Sequence, residues 1–245
     1  MRISIVIPTL NEESILLHTL TQTASLSFDE LIIADGGSQD RTREIVTSFS
    51  SEIVVPGGRS RTSNLEPRTS LTLLTSSPGR ARQMNAGAAA SYGDVILFLH
   101  ADTQLPPDAR QAIEKALEDP ECVGGRFDVR FAPNTGWGRL ISRMMNLRSR
   151  WTGIATGDQA IFVRRSVFNQ LGGFPDIPIM EDIEFSRRLR RAGRIAALHS
   201  IVTTSYRRWN TCGPIRTILL MWSLRSMYWI GINPRHLKHF YGDAR

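Results

Sequence analysis

Cysteine is nearly absent from this sequence: Cys122 and Cys212 are the whole complement, and they stand far apart. That excludes a disulfide framework and a cysteine-based metal centre, and it points to a reducing compartment. No apolar run is both long and clean enough to span a bilayer. The opening stretch up to Ile7 is too short for a signal peptide and is ended by Pro8-Thr9, so a cytoplasmic location is expected. No Gly-x-Gly-x-x-Gly follows that stretch, which removes the dinucleotide-dehydrogenase pattern. A glycine-rich basic loop near the N-terminus, the phosphate cradle of a nucleotidyltransferase, is also missing. Helix-turn-helix and zinc-finger spacings do not occur, and aromatics are not interleaved with basic residues in one place, so nucleic acid is not an expected partner. Acidic residues are the minority, 23 against 30 basic, for a formal charge of +7. Such an excess attracts anions, including anionic lipid and phosphorylated small molecules.

What is present reads as one α/β unit. Val95 to Leu99 is a short continuous apolar run, the mark of a strand buried on both faces. It stops at His100-Ala101-Asp102, and Pro106-Pro107 opens a helix running from Pro107 to Leu117. A buried central strand thus delivers His100 and Asp102 to its carboxyl end, the edge where open α/β sheets bind ligands. A hard cation held by one or two carboxylates, with phosphate oxygens completing its shell, suits that edge. Capping of the following helix by Asp102 or Thr103 is the competing reading. Ile3 to Ile7 is a first strand. It is followed by a helix to about Ala24, with Asn11 as its cap and Glu12 and Glu13 in its first turn. Leu31 to Ile33 is a second buried strand, ending at Asp35-Gly36-Gly37-Ser38 before a helix from Arg41 to Phe49. Two strand-turn-helix units in succession imply right-handed crossovers and a doubly wound sheet, with Thr9 and Asp35 facing one cleft.

The segment 56–69 is rich in Gly, Ser, Arg and Pro and reads as a surface loop. Leu71 to Leu74 is a third strand. Gly79 to Ala88 is a small-residue helix able to lie close to a sheet. Its Arg80 and Arg82 either grip a diphosphate or are solvated. Val123 to Phe131 alternates, which suggests an antiparallel strand with one wet face carrying Arg126, Asp128 and Arg130. Trp137 to Trp151 has helical spacing in part, and Ala160 to Val163 is a short strand. The segment Met180 to Gly193 is a helix with acids at its start and arginines at its end. Glu181 and Asp182 there are either first-turn acids that suit the helix dipole or a carboxylate pair aimed at the cleft. The stretch 213–232 matches a membrane span in length only, because Arg216 and Arg225 interrupt it. Arginines, tryptophans and an apolar face suit either a helix in the bilayer interface or a helix packed on the domain.

In their order along the chain, several motifs agree. Ile7-Pro8-Thr9-Leu10-Asn11-Glu12, the Asp35-Gly36-Gly37-Ser38 turn, Arg80-Ala81-Arg82-Gln83-Met84-Asn85, His100-Ala101-Asp102 and Glu181-Asp182 together resemble an inverting family 2 glycosyltransferase. The resemblance covers about residues 1–205, with 206–245 as a C-terminal helical extension. The Gly-Arg-Ala-Arg-Gln-Met-Asn-Ala-Gly and Phe-Leu-His-Ala-Asp-Thr runs are similar to a compact bacterial subfamily, labelled both for arsenosugar biosynthesis and for carotenoid-acid glycosylation.

The resemblance implies a GT-A fold: a Rossmann-like, mostly parallel central sheet flanked by helices. It implies a nucleoside-diphosphate sugar donor contacted by Pro8, Thr9, Asn11, Glu12, Asp35, Gly36, Arg80, Arg82, Asn85 and Ala101. It also implies Mg²⁺ or Mn²⁺ at Asp102 with His100, and a catalytic pair, Glu181 and Asp182, with Asp182 as general base. Three departures stand out. Ala34 replaces the first of the family's paired acids, His100 replaces the first Asp of its metal motif, and Ser205 replaces the Gln of the processive Gln-x-x-Arg-Trp signature. The last implies single transfer rather than polymerisation. The acceptor, small or lipophilic, is left open, and peripheral contact with the inner face of the membrane through 213–232 is one expectation. A nucleotidyltransferase and a non-catalytic sugar-nucleotide-binding protein are the competing readings.

Overall fold

A computed structural model describes residues 1–53, 69–134 and 136–241. Apart from Thr69, the loop expected over 56–69 lies outside these residues. The first half alternates β1 (Ile3–Thr9), α1 (Leu16–Ala24), β2 (Glu30–Asp35), α2 (Thr42–Ile53), β3 (Ser70–Thr75), α3 (Arg80–Ala90) and β4 (Val95–Phe98). The second half continues with β5 (Thr103–Gln104), α4 (Ala109–Ala116), β6 (Cys122–Ala132), α5 (Gly136–Thr152), a 3-10 turn at Gly157–Gln159, β7 (Ile161–Arg164) and α6 (Arg165–Gln170). It closes with α7 (Glu181–Ala192), β8 (Arg194–Ser205), α8 (Arg207–Cys212), α9 (Pro214–Trp229) and α10 (Pro234–Tyr241).

The strands form one sheet in the order β3-β2-β1-β4-β7-β6-β8-β5. β1 to β4 are mutually parallel, β7 runs against β4 and β6, and β6 and β8 are again parallel. The unbroken apolar runs have a plain cause: both sheet faces are covered. Ile3, Ile5, Ile7, Leu97 and Phe162 face the layer of α1, α2 and α4. Val6, Ile32, Ile96 and Phe98 face α3 and the aromatic cluster of Phe168, Phe174 and Phe185. Fully burying one such side chain stabilises by about 1.5–3 kcal/mol, so the four parallel strands dominate the core. The small residues of α3 let it approach closely, since a Cβ on Gly87 would come within 2.3 Å of Val6 Cγ1.

Three local expectations are corrected. The first helix begins at Leu16, not at Asn11, and has no acid in its first turn. Asn11 takes a left-handed conformation at φ 55° and ties two loops together instead of capping. The strand β6 has no continuous wet face. Its first six residues are buried, Arg126 among them, because both faces are covered there, with Cys122 and Phe127 in one core cluster and Val123 in the other. Arg126 is accommodated there by an ion pair to Asp128 and by the Phe127 carbonyl. The cap reading of Asp102 also fails, because the N-cap of α4 is Asp108 and Thr103–Gln104 pair with β8. α9, the helix within 213–232, packs Leu224 against Ile154, Ile179, Ile183 and Leu237, and no described helix is long and apolar enough to cross a membrane.

Candidate functional site

The site gathers at the carboxyl ends of β1, β2 and β4, where parallel register sets Thr9 beside Asp35 and Val6 beside Phe98. Gln83 of α3, buried at 4% exposure, pins these ends together by donating to the carbonyls of Thr9 and Ala34. Gly36 leaves it room, since a Cβ there would approach the Gln83 amide to 3.0 Å. The turns after β1 and β2 are stitched to each other. The Asn11 amide N–H donates to Ser38 Oγ, the Gln39 N–H to Asn11 Oδ1, and the Glu12 N–H to Thr42 Oγ1.

Several residues expected to touch the donor are occupied by the scaffold. Asp35 is fully buried, and its carboxylate accepts from Thr9 Oγ1, Ser38 Oγ and the amides of Gly37 and Ser38. It shapes the turn and offers no open oxygen. Thr9 and Ala101 are buried as well, and the Ala101 carbonyl accepts from Thr19 Oγ1. Arg82 pairs with Asp176 at 2.8 Å. Asn85 forms a two-way clamp on Phe174, donating to its carbonyl at 2.8 Å and accepting its N–H at 2.9 Å. Asn85→Ala should therefore act on stability, by about 1–3 kcal/mol for the backbone groups left unsatisfied. The measurement is a denaturant midpoint. An unchanged midpoint with weakened donor binding would return Asn85 to the donor site.

Two charged groupings flank the end of β4. In the first, Arg207 at the start of α8 reaches back to Glu12 Oε2 at 3.3 Å and lies 4.0 Å from Asp102 Oδ2. In the second, His100 directs Nδ1 to Asp158 Oδ1 at 3.2 Å, and its Nε2 is buried without a partner. That nitrogen lies over Gly157, where a Cβ would come within 2.2 Å of it. Both ring nitrogens thus face the 157–158 turn. The Gly157 N–H donates to Asp182 Oδ2 at 2.9 Å, and the Ile183 N–H donates to Asp182 Oδ1. Asp182 lines a small pocket with His100, Arg80, Gly157 and Phe174.

Glu181 and Asp182 are the first two residues of α7, yet their surroundings separate them. Glu181 is buried, with Arg80 Nη1 3.7 Å from its carboxylate. Burial pushes the Glu181 carboxyl above its ordinary value, the charge of Asp182 adds to that, and Arg80 opposes it. Asp182 is only half-buried and faces the pocket. A carboxylate oriented by two backbone amides and open to a cleft is geometrically prepared to accept a proton. Gln83, Gly157, Asp158 and Arg207 carry no local sign of these contacts in the sequence. Their partners lie 25 to 195 positions away in the chain, beyond any local spacing signal.

Among the described residues no cluster of three or more His, Cys, Asp or Glu suits a metal ion. A divalent ion of the Mg²⁺ or Mn²⁺ kind needs less from the protein when a diphosphate supplies oxygens. Asp102 fits that demand: a hard carboxylate, 24% exposed, already facing one cationic group in Arg207.

Comparison with known proteins follows the same lines. The glycosyl transferase family 2 model matches residues 4–172. A probable glycosyltransferase of Bacillus subtilis, YdaM, is 29% identical over 217 residues, 78% of this chain and 47% of its own. An undecaprenyl-phosphate 4-deoxy-4-formamido-L-arabinose transferase of Pseudomonas aeruginosa is 28% identical over 173 residues, 66% of this chain and 46% of its own. The chain thus spans about half the length of the curated relatives it matches. Among solved structures, a mannosyltransferase of Pyrobaculum calidifontis in complex with GDP-Man and Mn²⁺ superposes with a TM-score of 0.63 at 18% identity, over 91% of this chain and 64% of its own. Staphylococcus aureus TarS 1–349 in complex with UDP-GlcNAc does so at 0.62 and 17%, over 84% and 58%. These likenesses establish the GT-A fold.

Proposed function

The chain belongs to glycosyl transferase family 2, and from that premise we propose that it moves one sugar, with inversion, from a nucleoside-diphosphate sugar to a small or lipophilic acceptor. The observation that carries this reading is the Asp182 carboxylate, held by the amides of Gly157 and Ile183 in a pocket shared with His100 and Arg80. Asp182 takes the proton of the acceptor nucleophile. Glu181 positions Arg80 through their ion pair, and Arg80 faces the leaving diphosphate. Glu12 and the Asn11–Ser38 turn border the nucleoside. Asp102 holds the divalent cation, with Arg207 beside it. The cation, when bound, offsets charge building on the departing diphosphate. His100 organises the 157–158 turn and so fixes the amide that orients Asp182.

Cytoplasmic placement with peripheral bilayer contact through 213–232 belongs to the same reading. Its support is the outward row Ile215, Leu219 and Trp222 of α9, all more than half exposed. The catalytic reading is tested by nucleoside-diphosphate release from a panel of nucleotide sugars with Mn²⁺. Release from at least one donor, stopped by EDTA, is expected. A protein that gains thermal stability from a donor yet releases no nucleoside diphosphate is a binder, and the catalytic reading then fails.

A further inference from the structure

Asp182 also acts through its charge on two arginines, Arg148 and Arg225, that line a second and larger cavity. Between α5, α7 and α9 the structure holds a cavity of about 610 Å³, with Ile183, the residue after Asp182, in its wall. Five arginines line it: Arg148 from α5, Arg187, Arg190 and Arg191 from α7, and Arg225 from α9. Their counter-charges are few. Glu184 answers Arg187 at 3.1 Å, and Arg190 donates to the Thr152 carbonyl. Among the described residues, Arg148 and Arg225 have no carboxylate within ion-pair distance. Arg148 Nη2 and Arg187 Nε are buried with no hydrogen-bond partner. Burial pushes the Arg148 guanidinium down to about 10, and the charge of Arg225 adds to that while Asp182 opposes it. The Arg225 guanidinium is also lowered by burial.

Converging, desolvated like charges with unused donors are costly to hold unless an anion joins them. A phosphate fits better than a carboxylate, because it carries up to two charges and three strong acceptor oxygens for guanidinium forks. Apart from Thr152, the rest of the wall is apolar. Ile154 and Ile183 lie inside, and Trp151 and Trp229 stand at the cavity with 82% and 59% exposure.

We propose that this cavity is the acceptor site, and that the acceptor carries a phosphate group on an apolar body, the phosphate held by Arg148 and Arg225 and the apolar part resting on Trp151 and Trp229. The assignment rests on Asp182 as the base. An acceptor hydroxyl oxygen bonds to C1 of the donor sugar and gives its proton to Asp182. The bond from C1 to the diphosphate oxygen breaks, and its electron pair leaves with the nucleoside diphosphate.

The test is direct binding, which does not depend on turnover, so it can fail or succeed separately from the assignment of Asp182. Calorimetric titration of the full chain uses hexyl phosphate, inorganic phosphate and hexanol as probes, with phosphatidic-acid and phosphatidylcholine vesicles as separate arms. Hexyl phosphate should bind at one site per chain, more tightly than inorganic phosphate, and hexanol should not bind. The double variant Arg148→Gln with Arg225→Gln should lose about tenfold to a hundredfold in hexyl-phosphate affinity, with donor affinity as its folding control. Trp151→Ala, at an exposed position that does not threaten the fold, should weaken hexyl phosphate and leave inorganic phosphate unchanged. Absence of phosphate binding by the native chain would overturn the proposal. So would full affinity in the double variant, or, should that variant not fold, full hexyl-phosphate affinity in Trp151→Ala. Binding to phosphatidic-acid vesicles without binding of hexyl phosphate would make the cavity a bilayer contact and end the acceptor assignment.

Discussion

Asp182→Asn should leave a folded, donor-binding protein whose turnover is about 10²–10⁴-fold lower, the usual loss when a general base is removed. The structure explains why fold and rate should separate here. Asp182 is half-buried, and its oxygens accept from the Gly157 and Ile183 amides. An asparagine keeps the shape and one acceptor oxygen, while its NH2 group leaves one of the two amides without an acceptor, which costs about 1–3 kcal/mol and does not by itself unfold the domain. What it cannot do is take up a proton. The measurement is kcat for nucleoside-diphosphate formation beside the donor Kd from calorimetry. Loss of rate with unchanged Kd fits a base that acts only in the transition state. Normal turnover would remove Asp182 from the mechanism, and Glu181 would not replace it, since its carboxylate is buried against Arg80.

The second large effect is expected at Asp102. In Asp102→Ala, the part of donor affinity that depends on Mn²⁺ should disappear. Asp102 follows β4 at the central edge of the sheet, is only partly covered, and has no capping duty for α4. Its loss therefore removes the proposed cation ligand, and among the described residues the ion-pair contact given up is the 4.0 Å approach of Arg207. Freed from that neighbour, Arg207 retains Glu12 at 3.3 Å, so the turn after β1 keeps its tie to α8. Donor titrations with and without Mn²⁺ separate the two contributions. If metal still strengthens donor binding to the alanine variant by the same factor, the cation is held elsewhere.

The carboxylates differ in how far their roles could be read in advance. The strand ends bearing Asp35 and Asp102, and the helix start bearing Glu181 and Asp182, were legible because buried strands and helix boundaries leave local marks: unbroken apolar runs, prolines, and acids ahead of arginines. Which of these groups stays open was not legible. Asp35 and Asn85 look alike in the sequence as polar residues near a donor cleft, yet the first is saturated by its own turn and the second by Phe174, 89 positions away. His100 stands where an acid is expected, and its partner Asp158 is 58 positions on. The arginine cavity draws on three helices, and no local spacing in the sequence brings their arginines together.

By itself the sequence determined the parallel strands and the order of the motifs at their carboxyl ends, because burial on two faces forces unbroken apolar runs that a chain cannot hide. Only the tertiary structure decided which polar groups are consumed by the scaffold and which remain to do chemistry. A hydrogen bond is short-ranged and directional, so its partner is fixed by packing in space and not by distance along the chain.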